Sequence, residues 1–161
     1  MVALSALPCS VAQAATDGLN IGAKILASAL ALTGTQNLNF GAFTNSGGGG
    51  SVTIPLAGAG TYLGVMQIAG PAETPGKVLI SGNSGASIEV KVLSASIPVT
   101  HSTNGQTMVV GTFDINGQGQ TATITMAGTT TSLPIGAKLT VPAAKPAGTY
   151  TGTFTVEAVY N

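Results

Sequence analysis

Thr149-Tyr150-Thr151-Gly152-Thr153-Phe154-Thr155-Val156-Glu157-Ala158-Val159-Tyr160 decides the fold class. Tyr150, Gly152, Phe154, Val156, Ala158 and Tyr160 fall on one parity; Thr149, Thr151, Thr153, Thr155 and Glu157 fall on the other. Side chains on an extended chain point alternately to opposite faces, so alternation of this length describes a strand with one buried face and one wet face. Val159 breaks the polar parity only at the end. Ile88, Val90 and Val92 alternate with Glu89 and Lys91 in the same manner.

Working outward, the same signal fills the chain from Leu19 on. Thr and Val are abundant, Gly accounts for 23 of 161 residues, and turn residues recur about every 8–12 positions, the spacing of sandwiches and barrels. Strands are expected over Ile25–Thr33, Leu38–Phe43, Ser51–Leu56, Tyr62–Ala69, Lys77–Ser81, Ser87–Ser94, Ile97–Thr100, Met108–Ile115, Thr121–Met126, Ala137–Val141 and Tyr150–Tyr160. Gly47–Gly50, Gly70-Pro71, Pro75-Gly76, Asn104-Gly105 and Asn116-Gly117 supply the backbone angles that turns require. Asn116-Gly117 between two alternating runs predicts a hairpin of Met108–Ile115 with Thr121–Met126. Ala23–Leu32 has the Ala and Leu content of a helix, but Thr33 and Asn37–Phe40 continue an extended pattern, so strand is the reading. The whole is an all-β sandwich of antiparallel strands, in one domain over residues 25–161.

Composition narrows the function. Charged residues are 6% of the chain, five lysines against five acids, with no arginine. Nucleic acid and anionic lipid both need clustered positive charge, so neither is an expected partner. A neutral surface also forgoes the self-repulsion that keeps proteins apart, and it tolerates association. Residues 1–14 read as an export signal: Val2–Leu7 is apolar and Ala12-Gln13-Ala14 fits a small-x-small cleavage site. Cutting after Ala14 removes the single cysteine, Cys9, so no disulfide is expected. Lipidation of Cys9 fits less well, because Pro8 stands where a small residue is wanted. No apolar run reaches the ~18 residues of a spanning helix. Residues 15–24 form an N-terminal extension. The expected location is the periplasm, the cell surface or the extracellular space.

No catalytic, cofactor or metal site is expected. Gly70–Val78 loosely resembles a phosphate loop, but five residues separate its glycines, Val78 follows Lys77, and Pro71 and Pro75 lack backbone donors. Gly82-Asn83-Ser84-Gly85 echoes a serine nucleophile loop. Its base would have to be His101, the only histidine, and its acid Asp114, with no oxyanion loop suggested. A polar turn is the simpler reading, and His101 reads as a loop residue at a strand end. One histidine and scattered acids suit neither zinc nor a carboxylate-built calcium site, and a calcium site built from backbone carbonyls stays open. Most aromatic rings share the apolar parity of their strands and are expected in the core; Tyr62 and Tyr160 are not assigned.

Asn37-Leu38-Asn39-Phe40-Gly41 and Gly136–Tyr160 (GAKLTVPAAKPAGTYTGTFTVEAVY), with the Gly-rich stretch after Phe43, resemble domain-of-unknown-function family 4402 over roughly residues 25–161. That resemblance implies a secreted, immunoglobulin-like or pilin-like sandwich and no catalytic residues. The C-terminal stretch is also similar to the subunits of chaperone–usher pili. Gly148 is fourteenth from the end, Phe154, Val156 and Ala158 alternate, and Tyr160 is penultimate. This second resemblance implies a strand that pairs with a periplasmic chaperone and is later completed by a neighbour's N-terminal strand, giving a homopolymer. Leu19, Ile21, Ala23 and Ile25, alternating with Gly18, Asn20, Gly22 and Lys24, suit insertion into a groove. The disulfide of many such pilins is missing. Two other readings stay open: a self-contained module binding sugar or a surface ligand through Gly47–Gly50, Pro71–Gly76 or Thr100–Gln106, and a passive matrix component.

Overall fold

The computed structural model describes residues 28–45 and 47–161. Among these residues every regular element is a strand and every pairing is antiparallel. They are β1 (Ala31–Gln36), β2 (Phe43–Asn45), β3 (Gly50–Ile54), β4 (Thr61–Leu63), β5 (Val65–Gln67), β6 (Gly76–Ser81), β7 (Ser87–Val92), β8 (Ser96–His101), β9 (Thr107–Ile115), β10 (Thr121–Thr125), β11 (Thr130–Val141), β12 (Tyr150–Thr151) and β13 (Val156–Tyr160). The larger sheet runs β1-β6-β11-β9-β8-β12, with β3 and then β4 added on β11. The smaller is β10-β7-β13, and β2 with β5 forms a separate ribbon. The two main sheets enclose a core centred on Ile54, Ile80, Ile88, Ile115, Met126 and Ile135, each less than 2% exposed. The fold is therefore the expected all-β, sandwich-like one.

β11 is the frame of the larger sheet. One edge pairs with β9. The other pairs with β6 over Thr130–Ile135 and with β3 over Ala137–Val141. The change of partner falls at Gly136, where a Cβ would lie 2.6 Å from the Ile54 carbonyl oxygen. Opposite, β9 carries an extra residue: Gly136 faces Asp114 while Lys138 faces Gly111. The bulge takes Thr112 to φ +48°, a conformation that a β-branched residue rarely adopts. Only Ala137–Val141 of β11 is expected from the sequence, whereas the strand begins at Thr130 and contains Pro134, a residue poorly suited to a central strand. The structure resolves this conflict. The Pro134 carbonyl accepts from Asn116 N, so the side of Pro134 that lacks an N–H faces the point where β9 has already ended.

Other expectations change as well. β9 and β10 do not form a hairpin. β9 lies in the larger sheet and β10 pairs with β7 in the smaller. Asn116, Gly117 and Gly119, all at positive φ, reverse the chain as it passes from one sheet to the other. Tyr62–Ala69 is broken at Gly64 (φ +72°) and Leu38–Phe43 at Gly41 (φ +72°), leaving Asn39 as an isolated bridge to Thr74. Of Ile25–Thr33, residues 25–27 lie outside the described residues; the strand begins at Ala31 and reaches Gln36. His101 ends β8 as expected but is buried, 7% exposed.

Tyr150–Tyr160 is not one strand. Tyr150 and Thr151 pair with β8 in the larger sheet, and Val156–Tyr160 pair with β7 in the smaller. Residues 152–155 cross between them, with Gly152 close against the Pro98 carbonyl. The parity still holds: Tyr150, Phe154, Val156, Ala158 and Tyr160 are half-buried, and Thr151, Thr153 and Thr155 are exposed. A segment that keeps one face toward the core can change sheets without turning that face outward.

Gly136→Ala is expected to cost about 1–3 kcal/mol through the clash with Ile54 O, read as a lower urea midpoint with unchanged slope. Wild-type stability in this variant would show that the close approach is not a constraint.

Candidate functional site

β13 is an edge strand, and β7 is its only strand partner among the described residues. Leu93 N donates to Thr155 O, and Asn161 N donates to Ser87 O. The intervening residues of that parity, Glu157 and Val159, thus turn their backbone groups toward β7. Val156, Ala158 and Tyr160 turn theirs to the open edge while their side chains face inward. β1 is the corresponding edge of the larger sheet. Between the two edges lies a cleft of about 240 Å³. Its apolar floor is Leu32, Leu38, Val78, Ile135, Phe154 and Val156, and Gln36, Asn37 and Lys77 also line it. Gly34 lines it too, and a Cβ there would meet nothing within 4 Å. Phe154 rests on Phe113, with ring centroids 5.3 Å apart. On the wet face Lys91 pairs with Glu157 at 2.9 Å, directly across the strands; its ammonium pKa is raised by that hydrogen bond and charge.

Of the residues singled out from the sequence, the structure brings Phe154, Val156, Ala158 and Tyr160 together along this edge. Leu19, Ile21, Ala23 and Ile25 lie outside the described residues. Gly148 sits elsewhere, against the Nε2 side of His101, and a Cβ on it would overlap the imidazole. His101 Nε2 lies 3.0 Å from the Ala147 carbonyl, and Nδ1 accepts from Thr103 N at 3.0 Å and Asn104 N at 3.3 Å. With two donors on Nδ1, the ring carries its proton on Nε2. Tyr150 packs edge-on at 4.9 Å and donates to Pro146 O. The histidine thus ties the turn after β8 to the loop before β12.

Two polar knots escape sequence reading, one joining residues distant in the chain and the other gathering Gly60, Tyr62 and Gln67 on Glu73. At the Tyr160 end of β13, the hydroxyl donates to Ser28 O (3.1 Å) and accepts from Asn83 N (3.0 Å). Ser28 N donates to Asn83 Oδ1 (3.1 Å). In the other knot the Glu73 carboxylate accepts from Gly60 N (2.6 Å), the Tyr62 hydroxyl and Gln67 Nε2. Burial first, then the hydrogen bond and the charge of Glu73, push the Tyr62 phenol up to about 12. Asn45 Oδ1 holds Gly47 N and Gly49 N. The three loops named as candidate binding loops are therefore each pinned by a buried or half-buried side chain. Leu63 on β4 and Met66 on β5 stand exposed. A shallower hollow of about 520 Å³ lies over Gly136, between Thr53–Ala57 and Thr112 and Asp114. Among the described residues there is no group of three or more His, Cys, Asp or Glu, and no helix long and apolar enough to cross a membrane.

An antiparallel, sandwich-like domain with an open sheet edge over an apolar cleft defines the class of protein. The chain belongs to the family described as Domain of unknown function (DUF4402), whose model matches residues 30–160. No curated protein and no solved structure matches it significantly.

Tyr62 titration should weaken the fold at high pH. Its folded pKa lies above the unfolded value near 10. The stabilisation is therefore fully present below pH 10 and is lost as pH rises through about 12. A tyrosinate absorbance component near pH 12 is expected, and it should vanish in Tyr62→Phe. Gly148→Ala should cost about 1–3 kcal/mol, less when His101→Ala has already removed the ring, the remainder being the backbone strain at φ +151°. Additive losses in that double-mutant cycle would disprove the contact.

Proposed function

We propose that the protein is an exported, non-enzymatic structural or adhesive subunit that assembles by β-strand addition at the open edge of β13. The observation that carries this reading is that edge. Val156, Ala158 and Tyr160 offer their backbone groups outward, directly over the apolar cleft beneath Phe154 and Val156. Backbone hydrogen bonds along such an edge supply affinity, and alternate side chains in the cleft set register. The near absence of charge supports the same reading, because little repulsion opposes packing one copy against another. Exposed, flat edges are ordinarily blunted by charge or proline; β13 carries only Glu157, paired to Lys91. The alternation of Phe154, Val156, Ala158 and Tyr160 along this edge, which resembles part of the C-terminal strand of chaperone–usher pilins, suggests the same role, although Gly148 lies elsewhere, against His101. It adds a periplasmic chaperone as the partner that would cover the edge before assembly.

Deleting Asp17–Lys24 is expected to leave a folded protein that no longer forms multimers. Light scattering after size exclusion, with unboiled gels, reads the result. Assembly by the deleted chain at the level of the full chain would overturn the proposal.

A further inference from the structure

We infer that the hollow over Gly136, on the outer face of the larger sheet, binds a primary ammonium carried on an apolar stem. Asp114 takes the ammonium, and Pro55, Leu56 and Ala57 take the stem. The hollow shares no lining residue with the cleft at β13, so the site stands whether or not subunits assemble there.

The hollow exists because two irregularities of the sheet coincide. At Gly136 one edge of β11 passes from β6 to β3, and a side chain there would run into Ile54 O, so the floor stays bare. On the other edge, the bulge in β9 puts two residues, Gly111 and Thr112, between the buried Val110 and Phe113. Asp114 stands between the buried Phe113 and Ile115 and therefore faces outward. The result is a space of about 520 Å³, within the roughly 300–1,000 Å³ of ligand sites. Its parts are fixed by one turn. Leu56 Cδ1 lies 3.9 Å from where a Cβ on Gly117 would stand, and Gly119 N donates to Asp114 Oδ1 at 2.9 Å. Wall and carboxylate are thus in place before any ligand arrives.

Thr112 is a second sign. The non-glycine residues at positive φ among those described are Thr112, Asn116 and Ala144. Asn enters that region with least difficulty, and Ala has no branch at Cβ; threonine is the most strained of the three. Backbone strain of this kind gathers at binding sites, where the surroundings hold it. Here it falls on a residue that lines the hollow.

The lining decides the ligand's chemistry. Asp114 is half-buried, and its Oδ2 has no donor among the described residues. The one ion pair among them is Lys91–Glu157; Lys138, across from Thr53 on β11, is not paired with Asp114. A carboxylate with a free oxygen beside an apolar wall is matched by a charged N–H donor whose methylene chain lies along that wall. None of the described residues lining the hollow is aromatic. It therefore offers no stacking platform for a sugar and no cage for a quaternary ammonium. A lysine side chain and a free alkylamine share the required chemistry.

The test titrates the isotope-labelled full chain with pentylamine and with a blocked glycine–lysine–glycine tripeptide, following the amide signals of Gly119 and Gly136 by NMR. Saturable shifts are expected with the tripeptide and none once its lysine is acetylated. Asp114→Asn keeps the oxygen that Gly119 needs and should weaken binding about tenfold or more. Thr112→Gly relieves the strain; it should melt no lower than wild type and bind more weakly. Pentylamine binding as well as the tripeptide would show that stem and ammonium are all the site reads. Tighter binding of the tripeptide would assign the occupant to a lysine of a partner chain. Failure of both ligands to bind overturns the inference. So does equal binding by the acetylated tripeptide, or wild-type affinity in Asp114→Asn. Should Asp114→Asn fail to fold, Ala57→Lys at an exposed position of the wall supplies a competing ammonium in the same chain. It is expected to abolish binding of both ligands, and undiminished binding there overturns the inference equally.

Discussion

The two sheets share one chain segment that must serve both, residues 150–160. It pairs in the larger sheet, crosses, and pairs in the smaller, holding Tyr150, Phe154, Val156, Ala158 and Tyr160 inward throughout. Much of the structure is arranged around that requirement. Gly152 lets the crossing chain press against the Pro98 carbonyl. Pro98 is tolerated there because its carbonyl side faces the chain leaving β12, past the last ladder pair at Thr100, where no ladder donor is needed. Phe113 receives Phe154 at the crossing itself. The seam left between β1 and β13 follows from the same geometry, since the segment enters the smaller sheet as its outermost strand and leaves the larger one uncovered at β1.

How much of this was readable from the sequence depends on range. The all-β class and the inward parity of Phe154, Val156 and Ala158 rest on period-2 alternation, which is local, and both stand. Gly41 and Gly64 interrupt runs that read as continuous, because a glycine within an alternating pattern does not announce whether it adopts positive φ. The first half of β11 was not expected, and it contains Pro134, whose acceptability depends on where a different strand ends. The expected hairpin of β9 and β10 failed for a related reason: Asn116-Gly117 specifies a reversal of direction, and nothing local specifies whether the next strand stays in the same sheet. The knots at Glu73 and Tyr160 are less legible still. Tyr160 and Asn83 lie 77 residues apart, and a single tyrosine carries no mark of its partner.

A chain with so few charges must secure its loops by other means. Here they are held by neutral or singly charged side chains that collect backbone N–H groups: Asn45, His101, Asn83 and Glu73. Each satisfies backbone donors in a loop, and each replaces what surface ion pairs would contribute only weakly. Such fixings are insensitive to ionic strength, in contrast to the exposed Lys91–Glu157 pair, which salt screens.

The placement of β13 also has a temporal side. β7 is made early, yet it remains an edge strand of a two-stranded ribbon with β10 until residues beyond Thr155 are available to flank it. Ribbons of two strands are marginal on their own. Core formation is therefore deferred to a late, long-range event, and pairings of this separation are slow because loop closure precedes their reward. During that interval the edge of β7 that β13 takes stays unpaired.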